Sequence, residues 1–116
     1  QHYSFFQKKL MKQQLNSEVF FSIIVPVYNE ELLLPELFRQ LAMASLPFKH
    51  EFVFIDDGST DNSLAIIQKH QTQLSGVCIQ HPSNKGKGAA VSSGIEACNG
   101  THILIFDADL EYFLED

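Results

Sequence analysis

Two carboxylates stand two residues apart in the tetrad Asp107-Ala108-Asp109-Leu110, directly after the apolar run His102 to Phe106. At a separation near 4 Å two such anions repel by about 1 kcal/mol in water and about 4 kcal/mol at an effective dielectric of about 20, so a site this crowded takes up a proton or a cation. Oxygen donors of this kind suit a hard divalent cation. A second pair, Asp56 and Asp57, closes the apolar run Phe52-Val53-Phe54-Ile55. Capping the next helix would use one of them. An ionised carboxylate is acceptor-only, so the other suits the imide or amide N–H of a uracil or guanine ring.

Three further groupings carry less specific chemistry. Asn84-Lys85-Gly86-Lys87-Gly88-Ala89-Ala90 sets glycines and lysines before a helix. It lacks the Lys-Ser/Thr pair of a Walker A loop, and Val91 stands where the dinucleotide fingerprint has its third glycine. Two readings stay open: a basic turn feeding a helix, or a lysine that neutralises a diphosphate as a point charge. Tyr28, after Pro26 and Val27, is either an ordinary strand exit or a ring that stacks on a nucleobase. Cys78-x-x-His81 with Cys98 and His102 mimics a zinc ligand set, but a strand and a helix end would have to converge, and zinc is not expected.

These residues need elements to hold them. From Phe20 onward apolar strands alternate with helical patterns, which predicts an α/β fold with a mostly parallel sheet of about four strands. The strands are Ser22 to Val27, Glu51 to Asp56, Val77 to Gln80 and the run ending at Phe106, whose Ile103-Leu104-Ile105-Phe106 is expected to be buried. Leu34, Leu37, Phe38 and Leu41 mark one helix face, with Asn29 a candidate N-cap and Pro35 tolerated in the first turn. Asp57-Gly58-Ser59-Thr60-Asp61 opens a helix through Leu64 and Ile67. Ala89, Ala90, Ser93, Gly94 and Ala97 form a small-residue helix able to approach the sheet closely, ended by Asn99-Gly100. Residues 1–18 read as an amphipathic helical extension carrying Phe6, Leu10 and Met11 on one face, and residues 19–116 as the domain proper. Every polar cluster falls at the carboxyl end of a strand. Right-handed crossovers bring all those ends to one rim, where open α/β sheets bind ligands.

Composition narrows the partners. A formal charge of −6 with eight Lys and Arg argues against a nucleic-acid reader. No apolar run is long enough to span a bilayer, and no apolar stretch follows Lys8, Lys9 and Lys12 to make a secretory leader. Two cysteines make no disulfide scaffold, so a reducing, cytoplasmic setting is expected.

Taken together, SIIVPVYNE at 22–30, VFIDDGSTDNS at 53–63, NKGKGAAVSSGI at 84–95 and ILIFDADLEY at 103–112 resemble the nucleotide-sugar-binding half of a family-2 glycosyltransferase. The dolichyl-phosphate mannose synthase and polyprenyl-phosphate glycosyltransferase group is the nearest in pattern. The resemblance implies a Rossmann-like GT-A fold, truncated after the strand that carries Asp107 and Asp109, and a nucleotide-sugar donor bound with Mg²⁺ or Mn²⁺. It implies that Pro26, Tyr28 and Glu30 line the nucleoside pocket and that Ile55 and Asp57 contact the base. Asp107 and Ala108 would lie against ribose and diphosphate, Asp109 would be the principal metal ligand with Asp107 beside it, and Lys87 would meet the phosphates. The catalytic base is expected beyond Asp116. A polyprenyl-phosphate acceptor, membrane association through that acceptor or a C-terminal region, and work at the cytoplasmic face of a membrane all fit the resemblance; an exposed apolar edge would favour homo-oligomer formation. Two other classes remain open: a non-catalytic nucleotide-binding or protein-interaction module on the same fold, and a haloacid-dehalogenase-type phosphatase. The phosphatase would want Gly and Thr where Leu110 and Glu111 stand.

Overall fold

A computed structural model of the chain describes residues 3–10 and 19–108. Four parallel strands, β1 (Phe21–Val27), β2 (His50–Asp57), β3 (Gly76–His81) and β4 (His102–Ile105), form one sheet in the order β3-β2-β1-β4. Three helices connect them: α1 (Leu34–Met43), α2 (Ser63–His70), which runs on into a 3-10 turn over Gln71–Leu74, and α3 (Lys87–Ala97). Each crossover returns the chain to a parallel strand, so all four strand exits face one rim. This is the parallel α/β arrangement that the alternating pattern predicts and the Rossmann-like sheet that the resemblance implies.

The two faces of the sheet are covered differently. Ile23, Val25 and Val27 of β1 and Phe52 and Phe54 of β2 meet Leu34, Leu37, Phe38 and Leu41 of α1 and Ile67 of α2 in the larger core. The period of two along the strands and of 3.6 along α1 put these side chains on facing surfaces. On the other face Ile24, Val53 and Ile55 pack against Ala90 of α3. A Cβ added to Gly94 would come within 2.7 Å of the Ile24 Cγ2 and 2.9 Å of the Ile55 Cδ1. The small-residue face therefore lets α3 lie close on the sheet, as its composition predicts.

Three expectations need correction. Asn29 does not cap α1: Leu33 occupies the N-cap without a side-chain bond, and the Leu33 and Leu34 N–H groups donate to the Glu30 carbonyl. Asn29 instead sits at φ 50°, a left-handed position that asparagine tolerates, and turns its side chain to the next loop. The run Ile103-Leu104-Ile105 is not buried; these residues are 42–54% exposed. Apolar composition reads as burial, yet β4 lies at the edge, with β1 its one strand partner among the described residues. Neither Asp56 nor Asp57 caps α2, whose Ser63 N–H is held by Asp61 Oδ1 at 2.9 Å.

Residues 5–10 are helical, and their start is a capping box. Ser4 Oγ accepts from the Gln7 N–H while Gln7 Oε1 accepts from the Ser4 N–H. Phe6 and Leu10 are exposed. Met11, Asp109 and Leu110 lie outside the described residues.

Candidate functional site

A cleft of about 260 Å³ opens at the carboxyl rim, lined by Pro26, Val27, Tyr28 and Glu30 after β1, Asp57 at the end of β2, Asn84, Gly86, Lys87 and Ala90 around the start of α3, and Asp107 and Ala108 after β4. Of the residues singled out in the sequence, Pro26, Tyr28, Glu30, Asp57, Lys87, Asp107 and Ala108 come together here. Ile55 does not line it, because its side chain is fully buried in the core beneath α3. Tyr28 is 43% exposed, which leaves its ring free to take up a planar ligand.

The loops around the cleft are tied to one another. Asn29 N–H donates to Ser59 Oγ at 2.9 Å, Thr60 N–H donates to Asn29 Oδ1 at 2.8 Å, and Glu30 N–H donates to Ser63 Oγ at 2.8 Å. Asp61 adds a bond from the Glu31 N–H. Gly58, at φ 70°, lies so close to the next loop that a Cβ would be 2.3 Å from the Ser83 carbonyl carbon. Only glycine fits there. The first three strand exits thus behave as one body rather than as three separate turns.

Asp57 joins the second exit to the third. It is 3% exposed and accepts from His81 Nδ1 at 2.8 Å and Lys85 N–H at 3.0 Å on Oδ1, and from Gly86 N–H at 3.0 Å on Oδ2. Burial alone pushes its pKa up; the bonds from His81, Lys85 and Gly86 outweigh that and hold it below the ordinary carboxylate value. His81 was absent from the sequence-derived site. The parallel register that sets Asp57 beside His81 is what pairs them. Its other nitrogen, Nε2, meets Ser93 Oγ of α3 at 2.8 Å.

Asp56 points the other way, toward the larger core. It is 1% exposed and its Oδ1 has no hydrogen-bond partner among the described residues. Burial and the neighbouring Asp56 charge push the Cys78 thiol up to about 11, so it stays protonated at neutral pH. Cys98 donates instead to the Ile95 carbonyl, and His102 meets Thr101 and the Phe21 ring. The four residues of the zinc-like pattern do not converge, and no group of three His, Cys, Asp or Glu among the described residues could hold a metal ion.

Across the cleft Lys87 Nζ forms an ion pair with Asp107 Oδ2. This cation relieves the charge that Asp107 would otherwise carry unpaired. Asp107 is an accessible oxygen donor facing the same space as the N-terminus of α3. Magnesium-type ions are held by one or two carboxylates together with substrate phosphates and water, so Asp107 at the cleft, beside a helix end that favours the phosphates, is compatible with such an ion.

A family model, glycosyl transferase family 2, matches residues 22–116. The chain belongs to glycosyltransferase family 2. Among family members it is 42% identical over 98 residues to the undecaprenyl-phosphate 4-deoxy-4-formamido-L-arabinose transferase of Pseudomonas fluorescens, covering 79% of this chain and 28% of that protein. The Shewanella sediminis protein of the same name is 43% identical over 107 residues, covering 87% of this chain and 31% of its own length. The chain spans less than a third of these relatives. Among solved structures, Staphylococcus aureus TarS 1-349 in complex with UDP-GlcNAc superposes with a TM-score of 0.71 at 34% identity, over 78% of this chain and 27% of that one. The mannosyltransferase PcManGT from Pyrobaculum calidifontis, in complex with GDP-Man and Mn²⁺, gives 0.70 at 27% identity, over 77% and 27%. These likenesses establish the GT-A fold, and family-2 membership sets aside the phosphatase reading.

Proposed function

We propose that this chain is the donor-binding part of a metal-dependent, inverting glycosyltransferase that moves a sugar from a UDP- or GDP-sugar to an acceptor, with a polyprenyl phosphate the acceptor class. The observation that carries the reading is the cleft itself. Sequence-distant clusters meet there with an aromatic ring, a buried acceptor, an exposed lysine and a carboxylate in one space. The solved relatives named with a UDP-sugar and with a GDP-sugar plus Mn²⁺ support donor binding, and the curated relatives' names support the acceptor class.

In this reading Pro26, Tyr28 and Glu30 bound the nucleoside and Asp57 accepts from the base. Ile55, whose side chain is in the core, contributes through its backbone. Asp107 and Ala108 lie against the ribose and diphosphate, and Lys87 leaves Asp107 to meet a phosphate. Asp109, with Asp107, holds Mg²⁺ or Mn²⁺. When bound, that cation stabilises the charge developing on the departing diphosphate. The α3 N-terminus offers a positive dipole end to the same anion. The groups that bind the acceptor and withdraw its proton are expected from sequence beyond residue 116, with the whole enzyme working at the cytoplasmic face of a membrane. Among the described residues, no helix is long and apolar enough to cross a membrane.

Calorimetric titration of UDP, GDP and their sugars with and without Mn²⁺, repeated on Asp109→Ala, tests the proposal. Metal-enhanced binding that the substitution abolishes is expected. Binding indifferent to both metal and substitution would refute it.

A further inference from the structure

We infer that His81, buried behind the cleft, is a positioning residue that makes the donor site select uracil over guanine. The inference rests on the donor-binding reading above and decides which nucleoside diphosphate the site takes. Asp57 is the buried acceptor that reaches the cleft, and a carboxylate offers about four lone-pair sites, two on each oxygen. Both sites of Oδ1 are in use, by His81 Nδ1 at 2.8 Å and Lys85 N–H at 3.0 Å. One site of Oδ2 is in use, by Gly86 N–H at 3.0 Å. Among the described residues no other group takes Oδ2, which leaves one lone pair for a ligand.

The two bases differ in what they bring to such an acceptor. Uracil has a single imide N–H on its pairing edge, flanked by carbonyl oxygens. Guanine presents two parallel donors, its ring N–H and its exocyclic amine, and these need both oxygens of a carboxylate at once. With Oδ1 saturated, guanine would bury one donor without a partner, whereas uracil leaves none. An unsatisfied donor in a desolvated site weakens binding roughly tenfold or more.

His81 holds this arrangement because its ring is fixed at both nitrogens. A carboxylate accepts only, so Nδ1 carries the proton that meets Asp57. Ser93 Oγ lies 2.8 Å from Nε2 and holds the other side of the ring. The ring is 6% exposed and bridges β3 to α3. It occupies the lone pair of Oδ1 that Lys85 leaves and so keeps that oxygen from a ligand. Without that bond one lone pair of Oδ1 is released while Lys85 and Gly86 still hold the carboxylate, which can then offer a ligand one acceptor site on each oxygen.

The test compares UDP, GDP and N3-methyl-UDP by calorimetry with Mn²⁺ present, on the parent protein, His81→Leu and His81→Gln. On the parent, UDP is expected to bind roughly tenfold or more tightly than GDP, and methylation of N3, which removes the one matching donor, is expected to cost a similar factor. His81→Leu should bring the UDP-to-GDP ratio toward unity, while His81→Gln, which keeps an N–H for Oδ1, should retain most of it. A purely structural role for His81 would weaken both nucleotides in proportion and leave the ratio unchanged. Equal parent affinity for UDP and GDP, or for UDP and its N3-methyl form, overturns the inference while leaving donor binding intact. Failure of the parent to bind either unmodified nucleotide overturns the donor-binding reading with it. The parent measurements stand even if a His81 variant does not fold.

Discussion

Strand β2 carries a hydrogen-bonded carboxylate at each end of its α3-facing side, and α3 is clipped between them. Asp57 at the rim takes the Lys85 and Gly86 N–H groups just before the helix begins. Glu51 at the base takes the Asn99 N–H at 2.7 Å just after it ends, along with the Ser22 hydroxyl at 2.6 Å. Ser22 Oγ in turn accepts from the Gly100 N–H. For both carboxylates burial raises the pKa and hydrogen bonds more than reverse it, so both sit below the ordinary range. The chemistry is alike; the surroundings differ. At the base, Glu51 closes on the turn that leads into β4. At the rim, Asp57 faces a cleft with a lone pair to spare. A buried, charge-assisted network alone does not mark a site, and its position at the strand exits does.

Removing Asp57 should separate the two ends most sharply. Asp57→Ala strands His81 and two backbone N–H groups, and each buried donor left without a partner costs about 1–3 kcal/mol. Urea denaturation should show that loss, and nucleotide binding should fall beyond detection. The seat between the clips comes next. Gly94→Ala forces a methyl onto Ile24 and Ile55, an overpacking that costs about 1–3 kcal/mol by the same denaturation. Glu51→Gln should lower stability by about 1–2 kcal/mol and leave nucleotide affinity unchanged, since Glu51 lies outside the cleft.

Acid should loosen both clips together. The folded pKa values of Asp57 and Glu51 are depressed, so their stabilisation is complete above the unfolded values, about 3.9 and 4.3. It is lost as the pH falls through the lower folded values. Denaturation midpoints measured from pH 6 downward should be flat at first and then drop below about pH 4, with a shallower drop in Glu51→Gln. The smallest effect is expected at the cleft mouth. Lys87→Ala removes the exposed partner of a part-buried carboxylate, so stability should change by no more than about 1 kcal/mol. Nucleotide affinity should weaken several-fold, and less so at high salt.

Much of this arrangement is legible in residue order. Phe52-Val53-Phe54-Ile55 and Ile23-Ile24-Val25 read as buried parallel strands because only helices on both faces accommodate such runs, and both faces are covered. The rim follows from the placement of Asn29, Asp57, Asn84 and Asp107 after strands. Two things were not legible. Burial of Ile103-Leu104-Ile105 depends on neighbours that no local pattern encodes, and β4 is exposed. The partners of Asp57 depend on register: His81 is 24 residues away in sequence and beside it in the sheet. Sequence chemistry could place Asp57 among acceptors, but the register and the Lys85–Gly86 turn decide how many of its lone pairs are left.

The comparison between the two ends of β2 is tested most directly by titrating UDP into the parent protein, Asp57→Ala and Glu51→Ala, each with and without Mn²⁺. Metal-enhanced binding by the parent that survives in Glu51→Ala and vanishes in Asp57→Ala is the predicted result. Binding that is retained in Asp57→Ala, or lost equally from both variants while both remain folded, would contradict the assignment of the rim as the donor site.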